Sequence, residues 1–191
     1  MKCIAPFGLA LLIGCSSAPK TGIIAEKCAK TAVREADMET FGFKPAPGKI
    51  VVMRIFATWC PFCKTDLNKI AQEFQSKRWS AENVNLFLLA YNNHSETRAT
   101  FAAFVKERLG SLGIPRDAIQ IQFLDKTFAE AKDLKSASGE PLFTGWRGIP
   151  YSLVFGKDGR LAFRGHFTQS DIYEEAHYRF ITELQKETCA M

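Results

Sequence analysis

The feature that most constrains the fold is a pair of cysteines set between a buried strand and a helix. Residues 50–57 are apolar except for Arg54, which predicts a strand covered on both faces. Cys60 and Cys63 follow this strand, with only Pro-Phe between them. Past the cysteines, apolar residues recur at the spacing of one helical face, at Leu67, Ile70, Ala71 and Phe74. The two cysteines therefore lie where a helix begins, directly behind a strand.

The rest of the chain predicts β-α units first, and then a hairpin and a closing helix. The periodicity of apolar residues predicts a strand over 83–90, a helix over 96–110 with Phe101, Phe104, Val105 and Leu109 on one side, a strand over 119–123, a short helix over 127–136, hairpin strands over 151–155 and 160–163 around a turn at 156–159, and a helix over 170–187. This order implies an α/β fold with a mixed β-sheet and helices on both faces.

The position of Cys60 suits its sulfur to nucleophilic attack. A helix N-terminus carries unpaired backbone N–H groups and the positive end of the helix dipole, and both favour an anion. The Cys60 thiol should therefore have a lowered pKa and be a better nucleophile at neutral pH. Pro61 suits the first helical position because it has no N–H to satisfy. Cys63, one turn further, can attack a mixed disulfide at Cys60, so the spacing predicts an attacking and a resolving thiol.

A metal site is the alternative use of two cysteines at this spacing. A structural zinc site usually needs a second pair of ligands at short spacing. The other candidate ligands are isolated from one another along the chain, namely Cys28, Cys189, His94, His166 and His177. The context therefore favours redox chemistry, with no metal and no cofactor. We interpret the three histidines as surface or packing residues.

A second motif, Gly145–Pro150, runs directly into the first strand of the hairpin. A proline can open an edge strand with an ordinary trans peptide bond. The bond between Ile149 and Pro150 could also be cis, because proline lowers the preference for the trans form. The local sequence leaves both isomers open.

Taken together and in this order, the motifs Trp59–Cys63 and Gly145–Pro150 resemble those of the thioredoxin superfamily, and the resemblance covers most of residues 46–187. Within the superfamily, the chain looks most like the exported TlpA/ResA-type thiol–disulfide oxidoreductases. Residues 91–137 are similar to the extra strand-and-helix insertion of that branch. The resemblance implies a thioredoxin-like fold and disulfide exchange with cysteines of other proteins.

The resemblance also implies roles for individual residues. Cys60 would be the nucleophile and Cys63 the resolving thiol. Pro150 would be cis, and the backbone of Ile149 would be presented to a bound substrate chain. Trp59 would shield the cysteine pair and contribute to substrate binding.

Three positions in the chain depart from the family pattern. Thioredoxins carry a buried Asp on the strand before the motif, and Arg54 stands at that place here. Arg54 cannot accept a proton. Asp66 matches an acid of the TlpA/ResA branch, with a shorter side chain, and Asn68 stands where many relatives have a proline. We expect Asp66 either to take the proton of Cys63 as a catalytic base or to be an exposed carboxylate near the start of the helix.

The N-terminus has the pattern of an export signal. One Lys precedes an apolar run of about ten residues, which is too short to span a bilayer. The segment Leu12–Cys15 resembles a bacterial lipobox, which implies a signal peptide over 1–14 and lipid on Cys15. An ordinary signal peptide cleaved nearby and an internal start site are the alternatives. The prediction is a lipidated tether and N-terminal extension over 15–45 and a thioredoxin-like domain over 46–191. Ser16 after the lipidated Cys favours the outer membrane over the inner membrane.

Two further cysteines flank the domain. An exported chain lives where disulfides persist. Once Cys15 carries lipid, the mature chain keeps an even number of cysteines, of which Cys28 and Cys189 lie outside the central motif. Two free buried thiols are the alternative to a disulfide between them. We predict the disulfide, which would tie together the two ends of the domain.

The sequence therefore predicts a monomeric, periplasm-facing, membrane-tethered thiol–disulfide oxidoreductase, and its resemblance to the TlpA/ResA branch implies that it acts as a reductant. Its partners would be cysteine-containing exported proteins and a membrane redox partner. The net charge of +5 is scattered and forms no basic block, so nucleic acid is not an expected partner. A thiol oxidase of the same fold and a thioredoxin-like copper carrier are the alternatives. A peroxide-scavenging enzyme is disfavoured because the chain lacks the expected peroxidatic motif.

Overall fold

The structure, a computed structural model, describes residues 33–93, 96–166 and 171–186. Five strands form its framework: β1 (Ile50–Phe56), β2 (Val84–Tyr91), β3 (Ile119–Leu124), β4 (Tyr151–Phe155) and β5 (Leu161–His166). The α-helices are α1 (Pro61–Gln75), α2 (Arg98–Arg108), α3 (Phe128–Lys132) and α4 (Asp171–Leu184). Short 3-10 helices cover Glu35–Phe41, Leu109–Leu112 and Arg116–Ala118.

The strands form one mixed sheet in the order β3-β2-β1-β4-β5. β1 is parallel to β2, and β2 is parallel to β3. The hairpin strands β4 and β5 extend the sheet on the other side in antiparallel pairing. The predicted mixed α/β sheet is therefore confirmed, and β1 lies at its centre with all seven residues buried. The insertion between β2 and the hairpin supplies β3, one of the two edge strands.

One face of the sheet is covered by α1, α2 and α4. The stripe predicted for α1 is buried against the sheet in full, at Leu67, Ile70, Ala71 and Phe74. Ile181 and Leu184 of α4 join the same apolar cluster, together with Phe101 of α2. Because α1 is fixed along its whole length, its first turn is held close to the end of β1. Within the described residues, no helix has the length and apolar character needed to cross a bilayer.

The opposite face is covered by the segment 33–43 and by the chain between β3 and β4. Met38, Phe41 and Phe43 pack there beside Phe143 and Trp146. Residues 33–43 fall within the predicted tether and N-terminal extension over 15–45, and in the structure they pack into the core of the domain. Among the described residues, the packed part of the chain therefore includes residues before the predicted domain boundary at residue 46.

Several element ends differ from their predicted positions. The helix predicted over 96–110 begins at Arg98 because the Thr97 hydroxyl accepts a hydrogen bond from the Thr100 N–H and so caps the helix. It gives way to a 3-10 turn at Leu109. The short helix predicted over 127–136 is only Phe128–Lys132, and it is capped by Thr127. In both cases a side-chain cap, and not the apolar pattern, sets the first residue.

Candidate active site

Cys60 and Cys63 lie at the junction of β1 and α1, as the sequence predicts. Cys60 is the N-cap of α1, and its sulfur accepts a hydrogen bond from the Cys63 backbone N–H at 3.2 Å. Pro61 occupies the first helical position. Both cysteine side chains are buried, and both are free thiols. The helix start therefore holds the Cys60 sulfur directly against the turn that carries Cys63.

The two thiols differ sharply in acidity. A hydrogen bond from the Cys63 thiol lowers the pKa of Cys60 to about 7. Burial opposes this effect, while the backbone N–H groups of Cys63 and Phe62 add to it. Burial, reinforced by the hydrogen bond to Cys60, raises the pKa of Cys63 far above its ordinary value. At neutral pH the arrangement therefore favours a thiolate at Cys60 and keeps Cys63 protonated, which suits Cys60 to nucleophilic attack.

The second sequence motif lies beside this thiol. The Ile149–Pro150 peptide bond is cis, so the structure decides between the two isomers that the local sequence left open. The carbonyl oxygen of Ile149 lies 3.8 Å from the Cys60 sulfur. Pro150 is buried and leads directly into β4 at Tyr151. The proline loop and the cysteine turn therefore meet, although the two motifs are far apart in sequence.

Side chains on both sides hold the proline loop in place. The Trp146 indole N–H donates to the Gly148 carbonyl at 2.7 Å, within the loop itself. The Arg147 backbone N–H donates to Nε2 of His166 at 2.8 Å. His166 was interpreted as a surface or packing residue, but the structure shows that it connects the end of β5 to this loop. No pattern in the sequence pointed to that contact.

Two aromatic side chains form an exposed rim at the cysteines. Trp59 is 48% exposed and Phe62 is 45% exposed, while the other large apolar side chains of the described core are buried. Trp59 was expected to shield the pair, but about half of its side chain faces solvent. Its indole N–H donates to Oδ1 of Asn93 at 3.2 Å. An apolar surface next to a reactive thiol suits contact with another protein.

A buried ion pair lies below the cysteines. Arg54, at the centre of β1, is fully buried, and its Nε donates to Oδ2 of Asp66 at 3.0 Å. The Tyr178 hydroxyl of α4 donates to the other carboxylate oxygen of Asp66. The same hydroxyl lies 3.2 Å from the backbone carbonyl oxygen of Asp66. Asp66 is itself only 3% exposed, so of the two alternatives for this residue the exposed helix-start carboxylate was wrong, while the catalytic base stays a prediction. The residue is held as the partner of Arg54.

His177 completes this buried cluster. Its Nε2 lies 2.9 Å from a terminal guanidinium nitrogen of Arg54. Burial, aided by the charge of Arg54, lowers the pKa of His177 well below its ordinary value, so the ring is neutral. Because an arginine keeps its proton, the cluster combines one cation, one carboxylate and one neutral imidazole. The negative charge of Asp66 is the smallest of the causes that act on the pKa of either thiol, and it disfavours the thiolate form of both Cys60 and Cys63.

Sequence reasoning missed one charged residue at the site. Glu96 is fully buried, and its carboxylate accepts hydrogen bonds from the backbone N–H and the hydroxyl of Thr58. Thr58 is two residues ahead of Cys60. Glu96 fell within a predicted helix, where a glutamate ordinarily faces solvent, so the sequence carried no signal of this contact.

The remaining predicted site residues lie outside the described part of the chain. These residues are Cys15, Cys28 and Cys189, so the lipid anchor and the disulfide stay predictions. Among the residues that the structure describes, no three His, Cys, Asp or Glu side chains converge as possible metal ligands.

Comparison with solved structures gives matches along most of the chain. A candidate thioredoxin from Neisseria meningitidis aligns over 83% of this chain and 84% of its own, with 18% identity and a TM-score of 0.51. A candidate protein disulfide isomerase from Bacteroides thetaiotaomicron aligns over 74% and 76%, with 17% identity and a TM-score of 0.51. A thiol-disulfide isomerase from Corynebacterium glutamicum aligns over 84% and 91%, with 16% identity and a TM-score of 0.50.

No protein-family model and no curated protein matches the sequence. At identities this low, structural likeness establishes the fold and not the activity. The chain therefore has a thioredoxin-like fold, the fold of the thiol–disulfide oxidoreductases that it resembles in structure.

Proposed function

We propose that the protein is a thiol–disulfide oxidoreductase that uses Cys60 and Cys63 to exchange disulfides with cysteines of exported proteins. One observation carries the proposal. Cys60 caps a helix with its pKa lowered to about 7, and Cys63, of raised pKa, lies one turn away. This difference separates the thiol that attacks from the thiol that resolves.

In the reducing direction, the Cys60 thiolate attacks one sulfur of a substrate disulfide. A bond forms between Cys60 and that sulfur, and the other substrate sulfur leaves as a thiolate. Cys63 then loses its proton and attacks the Cys60 sulfur, which releases the second substrate thiolate. The substrate gains two electrons, and the protein is left with a Cys60–Cys63 disulfide. The same steps in reverse oxidise a substrate dithiol.

For Asp66 we propose an electrostatic role toward Cys63. The carboxylate is engaged by Arg54 and Tyr178, which keeps it in place below the cysteines. Its negative charge disfavours a Cys63 thiolate. Burial is the main cause that keeps the resolving thiol protonated, and Asp66 adds a smaller contribution. That Asp66 takes the proton of Cys63 during exchange stays a prediction.

The substrate chain would lie between the aromatic rim and the proline loop. Trp59 and Phe62 offer exposed apolar surface on one side of Cys60. Ile149 offers its backbone carbonyl on the other side, at 3.8 Å from the sulfur. Pro150 has no N–H to compete for a partner strand, so an extended substrate segment can pair with the loop through its main chain.

A reducing role is supported by the acidity of Cys60. Thioredoxin, a reductant, has an attacking thiol with a pKa of about 7, whereas the strong oxidant DsbA has one of about 3.5. A more acidic thiol stabilises the reduced protein and makes it an oxidant. The pKa of about 7 at Cys60 therefore favours a reductant. A reduction potential near about −270 mV would support this direction, and one near about −120 mV would support an oxidase.

The address in the cell is proposed from the N-terminal sequence. The short apolar run ending in Cys15 supports export, lipid attachment and a periplasm-facing position, with the outer membrane favoured. Electrons would then come from a membrane redox partner. Intact mass measurement of the mature wild-type protein tests the anchor, because acyl chains add their mass to residues 15–191. An unmodified N-terminus would contradict the proposal.

The activity itself is tested by trapping. Cys63→Ser protein isolated from cells should carry mixed disulfides with exported proteins, because nothing resolves the bond at Cys60. Cys60→Ser is the matched control, and it should trap nothing and lose turnover. If Cys63→Ser traps no partner and the wild type neither reduces nor oxidises a protein disulfide, the enzyme proposal fails. Titration of the reduced protein with Cu(I) then tests the copper-carrier alternative.

A further inference from the structure

The two residues immediately ahead of Cys60 are held by a distant part of the chain. The Glu96 carboxylate accepts the Thr58 backbone N–H, and it accepts the Thr58 hydroxyl at 3.0 and 3.1 Å. The Thr100 hydroxyl donates to the same carboxylate at 3.0 Å. Glu96 is fully buried, and these three donors satisfy its carboxylate. A buried carboxylate with such contacts fixes the backbone to which it is bound.

Asn93 extends this hold to Trp59. Its Oδ1 accepts the Trp59 indole N–H at 3.2 Å and the Glu96 backbone N–H at 3.1 Å. The backbones of Asn93 and Glu96 also bond to each other in both directions, at 3.2 and 3.3 Å. Asn93 and Glu96, here called the Asn93–Glu96 pair, therefore hold residues 58 and 59 together.

Trp59, the side chain held in this way, lies largely outside the core, where side chains are ordinarily free to change rotamer. Trp59 is 48% exposed, so its ring contributes little to the core. Its indole N–H is nevertheless bonded, and the acceptor is bonded in turn to a buried acid. A rigid exposed aromatic side chain lowers the entropy lost when a partner binds, since its conformation is set beforehand.

The reactive sulfur is positioned separately. The Cys60 sulfur is held by the Cys63 backbone N–H at 3.2 Å, a bond within the first turn of α1. That contact does not involve Asn93 or Glu96. Loosening Trp59 should therefore change how a substrate chain is received and leave the chemistry of Cys60 unchanged.

Asn93 also borders free space on the side of Thr127 and Phe128. An open cavity of about 470 Å³ is lined by Asn92, Asn93, Thr127, Phe128 and Ala129. A substrate segment that reaches Asn93, the hydrogen-bond partner of Trp59, would have room there for a side chain. A small disulfide, which has no flanking residues, could not use that space.

We propose that Asn93 and Glu96 are positioning residues that set a preference for polypeptide disulfides over small-molecule disulfides, by holding Trp59 as a rigid wall beside Cys60. The inference rests on the proposed function and names the substrate property that the site selects. The wall contacts the residues that flank the substrate cysteine, and it does not contact the sulfur that Cys60 attacks.

Two probes with the same leaving group separate these contributions. One is a short peptide with leucines on both sides of a cysteine that carries thionitrobenzoate in a disulfide. The other is N-acetylcysteine amide carrying the same group. The Cys60 thiolate attacks the cysteine sulfur and forms a new disulfide, and coloured thionitrobenzoate leaves with the electron pair. Cys60→Ser protein reports release by the other cysteines, and its rate is subtracted.

The wild type should react faster with the peptide than with the small probe. Asn93→Ala and Glu96→Gln should each slow the peptide reaction about fivefold, as expected for the loss of one hydrogen bond. Both should leave the small-probe rate within about twofold of the wild type. Asn83→Ala and Glu82→Gln, at exposed positions at the far end of β2, are the matched controls and should change neither rate. Asn93 is half-buried, so Asn93→Ala keeps the test available if Glu96→Gln does not fold.

Equal slowing of both probes would overturn the inference, because the pair would then act on Cys60 itself. Unchanged rates with both probes in a folded variant would overturn it as well. Absence of thionitrobenzoate release by the wild type from either probe is a different outcome, and it would contradict the proposed function.

Discussion

At the scale of single residues, the central question is how one of two neighbouring thiols becomes acidic. Cys60 and Cys63 are both buried, so burial alone would raise the pKa of both. The difference comes from direction, because the Cys63 thiol and backbone N–H both donate toward the Cys60 sulfur. Hydrogen bonds to the charged form favour that form. Cys60 is therefore the more acidic thiol because the hydrogen-bond donors of the first helical turn point toward its sulfur.

Removing the thiol donor should reverse much of this effect. In Cys63→Ala, the pKa of Cys60 should rise from about 7 toward its ordinary value, because the largest cause of the lowering is lost. Cys63→Ser keeps a hydroxyl donor and should stay closer to about 7. The measurement is the rate of Cys60 alkylation by iodoacetamide as a function of pH, with Cys60→Ser protein as the background. Equal midpoints in Cys63→Ala and the wild type would contradict this explanation.

The Arg54–Asp66 pair makes a separate prediction about stability. Removing one partner leaves a buried charge without its counter-ion, so Arg54→Met and Asp66→Asn should each lower the free energy of unfolding by about 3–5 kcal/mol. The double variant Arg54→Met/Asp66→Asn should lose much less than the sum of the two. Urea unfolding of the four proteins measures the coupling. Additive losses would show that the two side chains do not stabilise each other.

At the scale of secondary-structure elements, two neighbours converge on α1. The end of β1 brings Cys60 to the helix start, and the proline loop before β4 brings Ile149 to the same sulfur. β1 pairs directly with β4, so these two approaches are fixed by one antiparallel register. The register of this strand pair therefore sets how the cysteine turn and the proline loop meet.

The 3-10 helix Glu35–Phe41 allows a test of where the domain begins. Met38 is fully buried against the sheet, whereas its neighbour Glu39 is exposed. Met38→Ala should lower the free energy of unfolding by about 2–5 kcal/mol, because it removes buried apolar contacts and leaves a cavity. Glu39→Ala is the control and should stay within about 0.5 kcal/mol of the wild type. A Met38→Ala protein as stable as the Glu39→Ala protein would show that this segment is dispensable.

At the scale of the whole molecule, the predicted Cys28–Cys189 disulfide would close about 160 residues. Such a bridge stabilises by at most about 5 kcal/mol in the chain-entropy model. Reduction should therefore lower the melting temperature of the wild type. It should leave the melting temperature of the Cys28→Ser/Cys189→Ser variant unchanged, apart from any change that reduction of the Cys60–Cys63 pair causes in both proteins. Non-reducing peptide mapping tests the bond itself. Two alkylatable thiols at these positions in the oxidised protein would reject it.

Much of the framework follows from the sequence alone. Three patterns are local in the sequence: the apolar run over 50–57, the stripe from Leu67 to Phe74 and the hairpin pattern. Each shows which face of a strand or helix is buried without showing which other element covers that face. The place of Cys60 at a helix start follows in the same way, because a strand, a proline and a helical stripe surround it. Local order was therefore sufficient to predict the fold class and the central cysteines.

The tertiary structure alone decided how the charges are arranged. Arg54 meets His177, and Thr58 meets Glu96, across separations of 123 and 38 residues. No periodic pattern predicts which buried charged and polar side chains will contact each other, because these contacts depend on how helices and strands pack together. The same holds for the cis bond before Pro150, which the local sequence left open. The sequence determined that Cys60 and Cys63 lie at a helix start behind a buried strand, and the packing of distant elements determined the charges and side chains that surround them.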